Sequence, residues 1–171
     1  VPDFTGNVTL FNPAEARTAD AIDVTALITN VRSQCDDSGA EVYATATFDV
    51  LAQRRDTQGA RSVTLPYYST VVRGGNAVVA KRVGEVTLNF ADGEARTVAR
   101  GTAGAVIDRA AATLPADIRE RITRRRRAGE AEAAIDPLNE PEVRAAVARA
   151  TFELLVGFQL TDDQLAYNAR R

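Results

Sequence analysis

EVYATATFDVLAQRR, from Glu41 to Arg55, alternates along its length. Val42, Ala44, Ala46, Phe48 and Val50 fall on one side of an extended chain, and Tyr43, Thr45, Thr47 and Asp49 on the other. A period of two describes a strand with one packed and one wetted face, as in an antiparallel sheet.

The same period holds on both sides of this stretch. Upstream, AIDVTALITNVRSQC puts Ile22, Val24, Ala26 and Ile28 on one face and Thr25, Leu27 and Thr29 on the other, and CDDSG reads as the turn that follows. The β-branched content and the period both argue against a helix. Downstream, RDTQGAR returns the chain into SVTLPYYSTVVR, a strand in which Pro66 predicts an edge position or a bulge, because proline has no donor for a central ladder. RGGN is a hairpin turn, NAVVAKRVGEVTLNF supplies one or two strands with a bend or bulge at Gly84, and ADGE is a second hairpin signal before the weaker strand ARTVARGTAGAVI. Near the start, Val8, Leu10 and Phe11 form a short strand and NPAEARTAD is loop.

The texture changes at Leu114. LPADIRERITRRRR opens a helix, with Pro115 at an allowed first-turn position and Asp117 near the positive end. A second helix runs from about Glu140 to Arg149. ATFELLVGFQL alternates at Phe152, Leu154, Val156 and Phe158 and reads as a strand. In TDDQLAYNARR, Thr161 is an N-cap and Gln164 completes a capping box. The expected fold is mainly β: an immunoglobulin-like or similar antiparallel β-sandwich with an inserted helical pair and a short C-terminal helix. Residues 1–20 are an N-terminal extension, residues 21–113 and 151–171 the sandwich with its helix, and residues 114–150 the helical insertion.

Composition narrows the chemistry. The net charge is -2 and there is no histidine, which removes the usual neutral-pH base, the serine triads that depend on it and most zinc sites. Cys35 is the only cysteine, so no intramolecular disulfide and no thiolate cluster can form. Asp36, Asp37 and Glu41, and likewise Asp136, Glu140 and Glu142, are carboxylate groups without the spacing of a calcium loop. No glycine-rich phosphate loop is present. The expectation is a non-enzymatic protein with no catalytic residues, no metal and no cofactor. Tyr43, Phe90 and Phe158 are expected at or near the core.

Two features remain as candidate partner-binding residues. Arg121, Arg124, Arg125, Arg126 and Arg127 belong to a basic run in a chain whose only lysine is Lys81. Four arginines in a row wrap round a helix and cannot all face one ligand. Asp117, Glu130, Glu132 and Asp136 lie close by as counter-charges, so a solvated helix end competes with a protein contact or an anionic lipid surface. Stacking aromatics are missing nearby and the chain is mildly acidic, so nucleic acid is not expected. Tyr67 and Tyr68 after Pro66 either form a recognition patch or straddle a sheet, one in and one out.

Four segments carry a resemblance: TLPYY (Thr64–Tyr68), VVAKR (Val78–Arg82), the strand-ending ADG (Ala91–Gly93), and ELLVGFQLTDDQLAYN (Glu153–Asn168). From Ala21 to its end the chain resembles uncharacterised alphaproteobacterial envelope lipoproteins, in which a cysteine follows the first long strand and a GFQLT strand end leads into a short helix. The resemblance implies export with a signal peptide, a periplasmic location at the inner face of the outer membrane, and an N-terminal lipid anchor at the membrane surface. It supplies no catalytic residues. The insert of residues 114–150 departs from that pattern, and the lipidated cysteine of that pattern is expected before Val1. The expected role is an accessory or structural envelope protein that binds another protein. The alternatives are a periplasmic small-molecule or lipid-binding module and, for location, the cytoplasm.

Overall fold

A computed structural model describes residues 1–124 and 136–170. Its strands are β1 (Asn7–Phe11), β2 (Ile22–Asp36), β3 (Glu41–Arg54), β4 (Arg61–Arg73), β5 (Ala77–Phe90), β6 (Arg96–Asp108) and β7 (Phe152–Phe158). Its helices are α1 (Ala116–Thr123), α2 (Pro141–Ala150) and α3 (Asp162–Ala169). The strands form two antiparallel sheets, β1-β2-β3-β6 and β5-β4-β7.

The alternation of residues 41–55 becomes β3, whose even-numbered side chains turn inward. Phe48 and Val50 are fully buried, beside Val24 and Ile28 of β2. Across the core they meet Leu65 of β4, Leu88 and Phe90 of β5 and Phe158 of β7. Each large apolar side chain removed from water contributes about 1.5–3 kcal/mol, so this shared cluster is what holds the two sheets together. Tyr43, expected near the core, is instead 51 % exposed, because its odd position puts it on the wetted face with its hydroxyl donating to Glu41 at 2.6 Å.

ADGE does not close a hairpin. β5 and β6 on either side of it belong to different sheets, and β6 pairs along β3 from Gln53↔Arg96 to Glu41↔Asp108. The segment between β3 and β4 also crosses from one sheet to the other. Arg54, 2 % exposed, fastens both crossings: its guanidinium donates to the carbonyls of Thr57 and Gly59 in the first and of Ala91 and Glu94 in the second, at 2.8–2.9 Å. The group also lies 5.2 Å from the centre of the Phe90 ring. A buried charge of this kind persists only when its donors are satisfied, and here carbonyl oxygens do that.

Pro66 lies in β4, the middle strand of its sheet, with Glu85 opposite and no bulge beside it. The missing donor is tolerated because the ladder to β7 begins only at Tyr67↔Phe158. Pro66 is thus at neither the expected edge nor a bulge: just past the end of that ladder, its carbonyl still accepts from Gln159 N at 2.9 Å on the β7 side. Gly84 makes no bend or bulge, and β5 is one continuous strand. The glycine is there because a Cβ would meet Tyr67 Cζ at 2.8 Å. RGGN does turn the β4–β5 hairpin through the three residues between Arg73 and Ala77, with Gly74 and Gly75 at φ 63° and 80°, left-handed values that glycine adopts without strain.

The helices fasten to the rim. α1 and α2 share a small core of Ile118, Val143 and Ala146. They reach the sheets at the β4–β5 turn, where Gly74 N donates to Thr151 O at 3.0 Å. α3 starts with the expected capping box of Thr161 and Gln164. It covers β1, with Tyr167 edge-on to Phe11 at 5.1 Å and Asn168 Nδ2 donating to Phe4 O and Asn7 O at 2.9 Å. That contact shields an edge strand that would otherwise offer unpaired backbone to other chains.

Candidate functional site

Most sequence candidates find partners within the chain. Arg121 Nη1 bridges α1 to α2, 2.9 Å from Glu142 and 3.6 Å from Glu140. Those carboxylates come from the DPLNEPE segment rather than from the nearer acids on α1. The Glu142 hydrogen bond holds the guanidinium above its ordinary pKa. Arg124 is the C-cap of α1, its amide donating to Glu120 O at 2.9 Å. Arg125, Arg126 and Arg127 lie outside the described residues.

The two tyrosines point to opposite faces of β4. Tyr67 turns inward, edge-on to Phe48 at 5.1 Å, and donates to Thr102 O at 2.7 Å. Tyr68 turns outward over Gly157, shares a hydrogen bond with Thr5 Oγ1 at 2.8 Å, and has Lys81 Nζ 5.3 Å from its ring centre. Both are half-buried.

The carboxylate groups disperse into separate tasks. Asp36 accepts from Ser38 N at 3.0 Å, Glu41 from Tyr43, and Asp136 from Leu138 N at 2.9 Å. Among the described residues no cluster of three or more His, Cys, Asp or Glu could hold a metal ion. No helix among them is long and apolar enough to cross a membrane.

The surface that stands out is the outer face of the four-stranded sheet, which the sequence reading passed over. Register places Leu27, Leu51 and Val98 side by side on β2, β3 and β6, with Asn7 of β1 at the end of the row. They are 45, 39 and 61 % exposed. Together with Gln53 and Arg96 they line a groove of about 480 Å³. In sequence each is a lone apolar residue at a wetted position, so only pairing turns them into a stripe.

Charge flanks the stripe on both sides. Arg96 belongs to the next row on one side, opposite Gln53. On the other side Asp49 faces Arg100, and Arg32 faces Thr47 one row further on. The ladder between β2 and β3 shifts at Thr29–Arg32, where Asn30 adopts a φ of 51°. Asparagine enters this left-handed region more readily than other side-chain-bearing residues, so its place within a β-branched run was the available sequence signal for the bulge. Asn30 Nδ2 donates to Asp49 Oδ2 at 2.7 Å, and Arg100 Nε approaches Asp49 Oδ1 at 3.4 Å. The Asn30 bond first, then Arg100, hold the Asp49 carboxyl below its usual range. With Asp49 occupied in this way, Arg96, Arg100 and Arg32 make the margins of the stripe basic. Comparison with protein-family models, with curated proteins and with solved structures finds no match to the chain.

Proposed function

We propose that the protein is a non-enzymatic accessory or structural domain that binds another protein through the outer face of its four-stranded sheet. The observation that carries this reading is the row Leu27–Leu51–Val98, three neighbouring apolar side chains left exposed between arginines. An apolar centre inside a charged margin is the anatomy of a protein interface. The basic margin selects a partner segment with apolar side chains flanked by carboxylates, since opposite potentials meet at such surfaces. The groove has the volume of a small-ligand site, but residues 39–61 % exposed do not enclose a ligand, so a protein segment fits better than a small molecule or lipid.

The reading includes an antiparallel β-sandwich scaffold. Its strand order, β1-β2-β3-β6 over β5-β4-β7, differs from the ABED and CFG sheets of the immunoglobulin constant domain, so we favour the broader sandwich over the immunoglobulin form. It also includes a place in the cell envelope with an N-terminal lipid anchor, supported by the resemblance of the closing strand and helix. Cell fractionation and the mass of the native N-terminus test that location.

Photo-cross-linking tests the surface. A photoreactive residue at Leu51 or Val98 is expected to trap a protein whose linked peptide carries apolar residues beside Asp or Glu. One at Glu153, exposed on β7 of the other sheet, is expected to trap none. Leu27→Glu should abolish the adduct without changing thermal stability. Equal adducts from all positions, or a linked peptide rich in Lys and Arg, would refute the reading.

A further inference from the structure

β5 is an edge strand of the three-stranded sheet, and its residues 77–83 are all exposed. Val78, Val79 and Val83 stand at 64, 52 and 60 %. An exposed apolar edge is a template for another strand. The direction of its free backbone groups follows from Pro66. The carbonyl of Pro66 accepts from Gln159 N on the β7 side, and Pro66 faces Glu85. In a strand the N–H and C=O of one residue point the same way, so Pro66 and Glu85 form a non-hydrogen-bonded pair. The N–H and C=O of Glu85 therefore point away from β4.

The register is unbroken from Arg61↔Phe90 to Val71↔Ala80, so the same holds for Lys81, Val83 and Thr87. The Asn89 carbonyl, at the end of this series, confirms the direction: it accepts from Thr97 Oγ1 of β6 at 2.7 Å. Among the described residues no backbone group outside the β4 ladder pairs with Lys81, Val83 or Glu85.

We infer that β5 pairs antiparallel with β5 of a second copy, about a two-fold axis at Val83. The argument for a second copy is the charge order. Reversal of Lys81–Val83–Glu85 sets Lys81 against Glu85 of the other copy, twice, and Val83 against its counterpart, all on one face. On the other face Arg82 meets Gly84, which has no side chain to obstruct it. Val83 exchanges both backbone hydrogen bonds with its counterpart, and the two three-stranded sheets become one of six strands. Cross-strand opposite charges favour this register and like charges oppose it. The contact is isologous, as a closed dimer requires.

Sedimentation equilibrium of the full chain over micromolar to millimolar concentration tests it. The wild type should dimerise. Lys81→Glu sets two acidic pairs at the axis and should raise the dimer Kd at least about tenfold. The charge swap Lys81→Glu with Glu85→Lys should return it to within about threefold of wild type. Val83→Pro removes an outward N–H that β4 does not use, so it should weaken the dimer at least about tenfold with an unchanged thermal midpoint. If that variant misfolds, the charge swap still decides. A wild type that stays monomeric would overturn the inference. So would a dimer indifferent to Lys81→Glu, a swap that fails to restore it, or a dimer abolished by Leu51→Glu instead.

Discussion

Phe48 and Gly101 face each other across β3 and β6, and the Phe48 ring occupies the space where a side chain on residue 101 would begin. The same device recurs where Tyr67 covers Gly84 and Tyr68 covers Gly157, each pair in direct register. Three aromatic rings are thus laid over three glycines, and they fill the sheets where alanine or larger would overpack them.

Gly101→Ala is expected to cost about 3 kcal/mol, because the ring must leave its rotamer in a closed core. Gly104→Ala in the same strand meets its nearest atom at 3.7 Å and should change stability by less than about 1 kcal/mol. Urea titration checks both: the midpoint should fall for the first with an unchanged slope.

Arg54→Lys keeps the charge but cannot reach four carbonyls in two loops. A loss of about 3 kcal/mol or more is expected, from the lost guanidinium bonds in a buried site, among them those to the Gly59 and Glu94 carbonyls. Hydrogen exchange gives the local readout. The Gly93 amide, which donates to Thr57 O at 2.9 Å, and the Gly59 amide, which donates to Asp92 at 2.7 Å, should both lose protection.

Asp23 links the two sheets through Arg61, with a fork of bonds at 2.8 and 2.6 Å. The Arg61 hydrogen bond lowers the Asp23 pKa. Its stabilising contribution is therefore complete above the ordinary aspartate value of about 4 and is lost as pH falls through the lower folded-state value. Arg61 is 42 % exposed, so the pair is worth only about 0.5–1 kcal/mol. Asp23→Asn should lower stability by that amount at neutral pH, and the gap to wild type should close in acid. A gap that widens in acid would contradict the assignment.

Asn168 ties α3 to the N-terminal segment, whose Thr5 and Gly6 carbonyls accept from Phe158 and Ile28 at 2.7 and 2.8 Å. Asn168→Ala should cost about 1–2 kcal/mol, and Thr161→Ala, which removes the cap, about 1 kcal/mol. Both should speed exchange at the Phe158 and Ile28 amides ahead of the core of β3.

Much of this was legible in one dimension. Which residues of β3 turn inward, where β7 and α3 begin, and that the chain is mainly β all follow from a period of two or from a cap, and both are properties of neighbouring residues. The GG turn is local in the same sense, since two consecutive positive φ angles call for glycine. ADGE shows the limit: it is a turn as read, but whether a turn joins partners in one sheet depends on where the next strand finds its ladder. β6 finds it on β3, roughly fifty residues back.

Arg54, the stripe Leu27–Leu51–Val98 and the Lys81–Glu85 edge share that property. In sequence they are an arginine at a strand end, three scattered apolar residues and two ordinary charges. Their roles arise from pairings between distant segments. Periodicity and capping are energies of adjacent residues, so the sequence alone determined the strands, their faces and the closing helix. Sheet membership, register and edges are energies of contacts far apart along the chain, and the tertiary structure alone decided those, and with them the surfaces open to a partner.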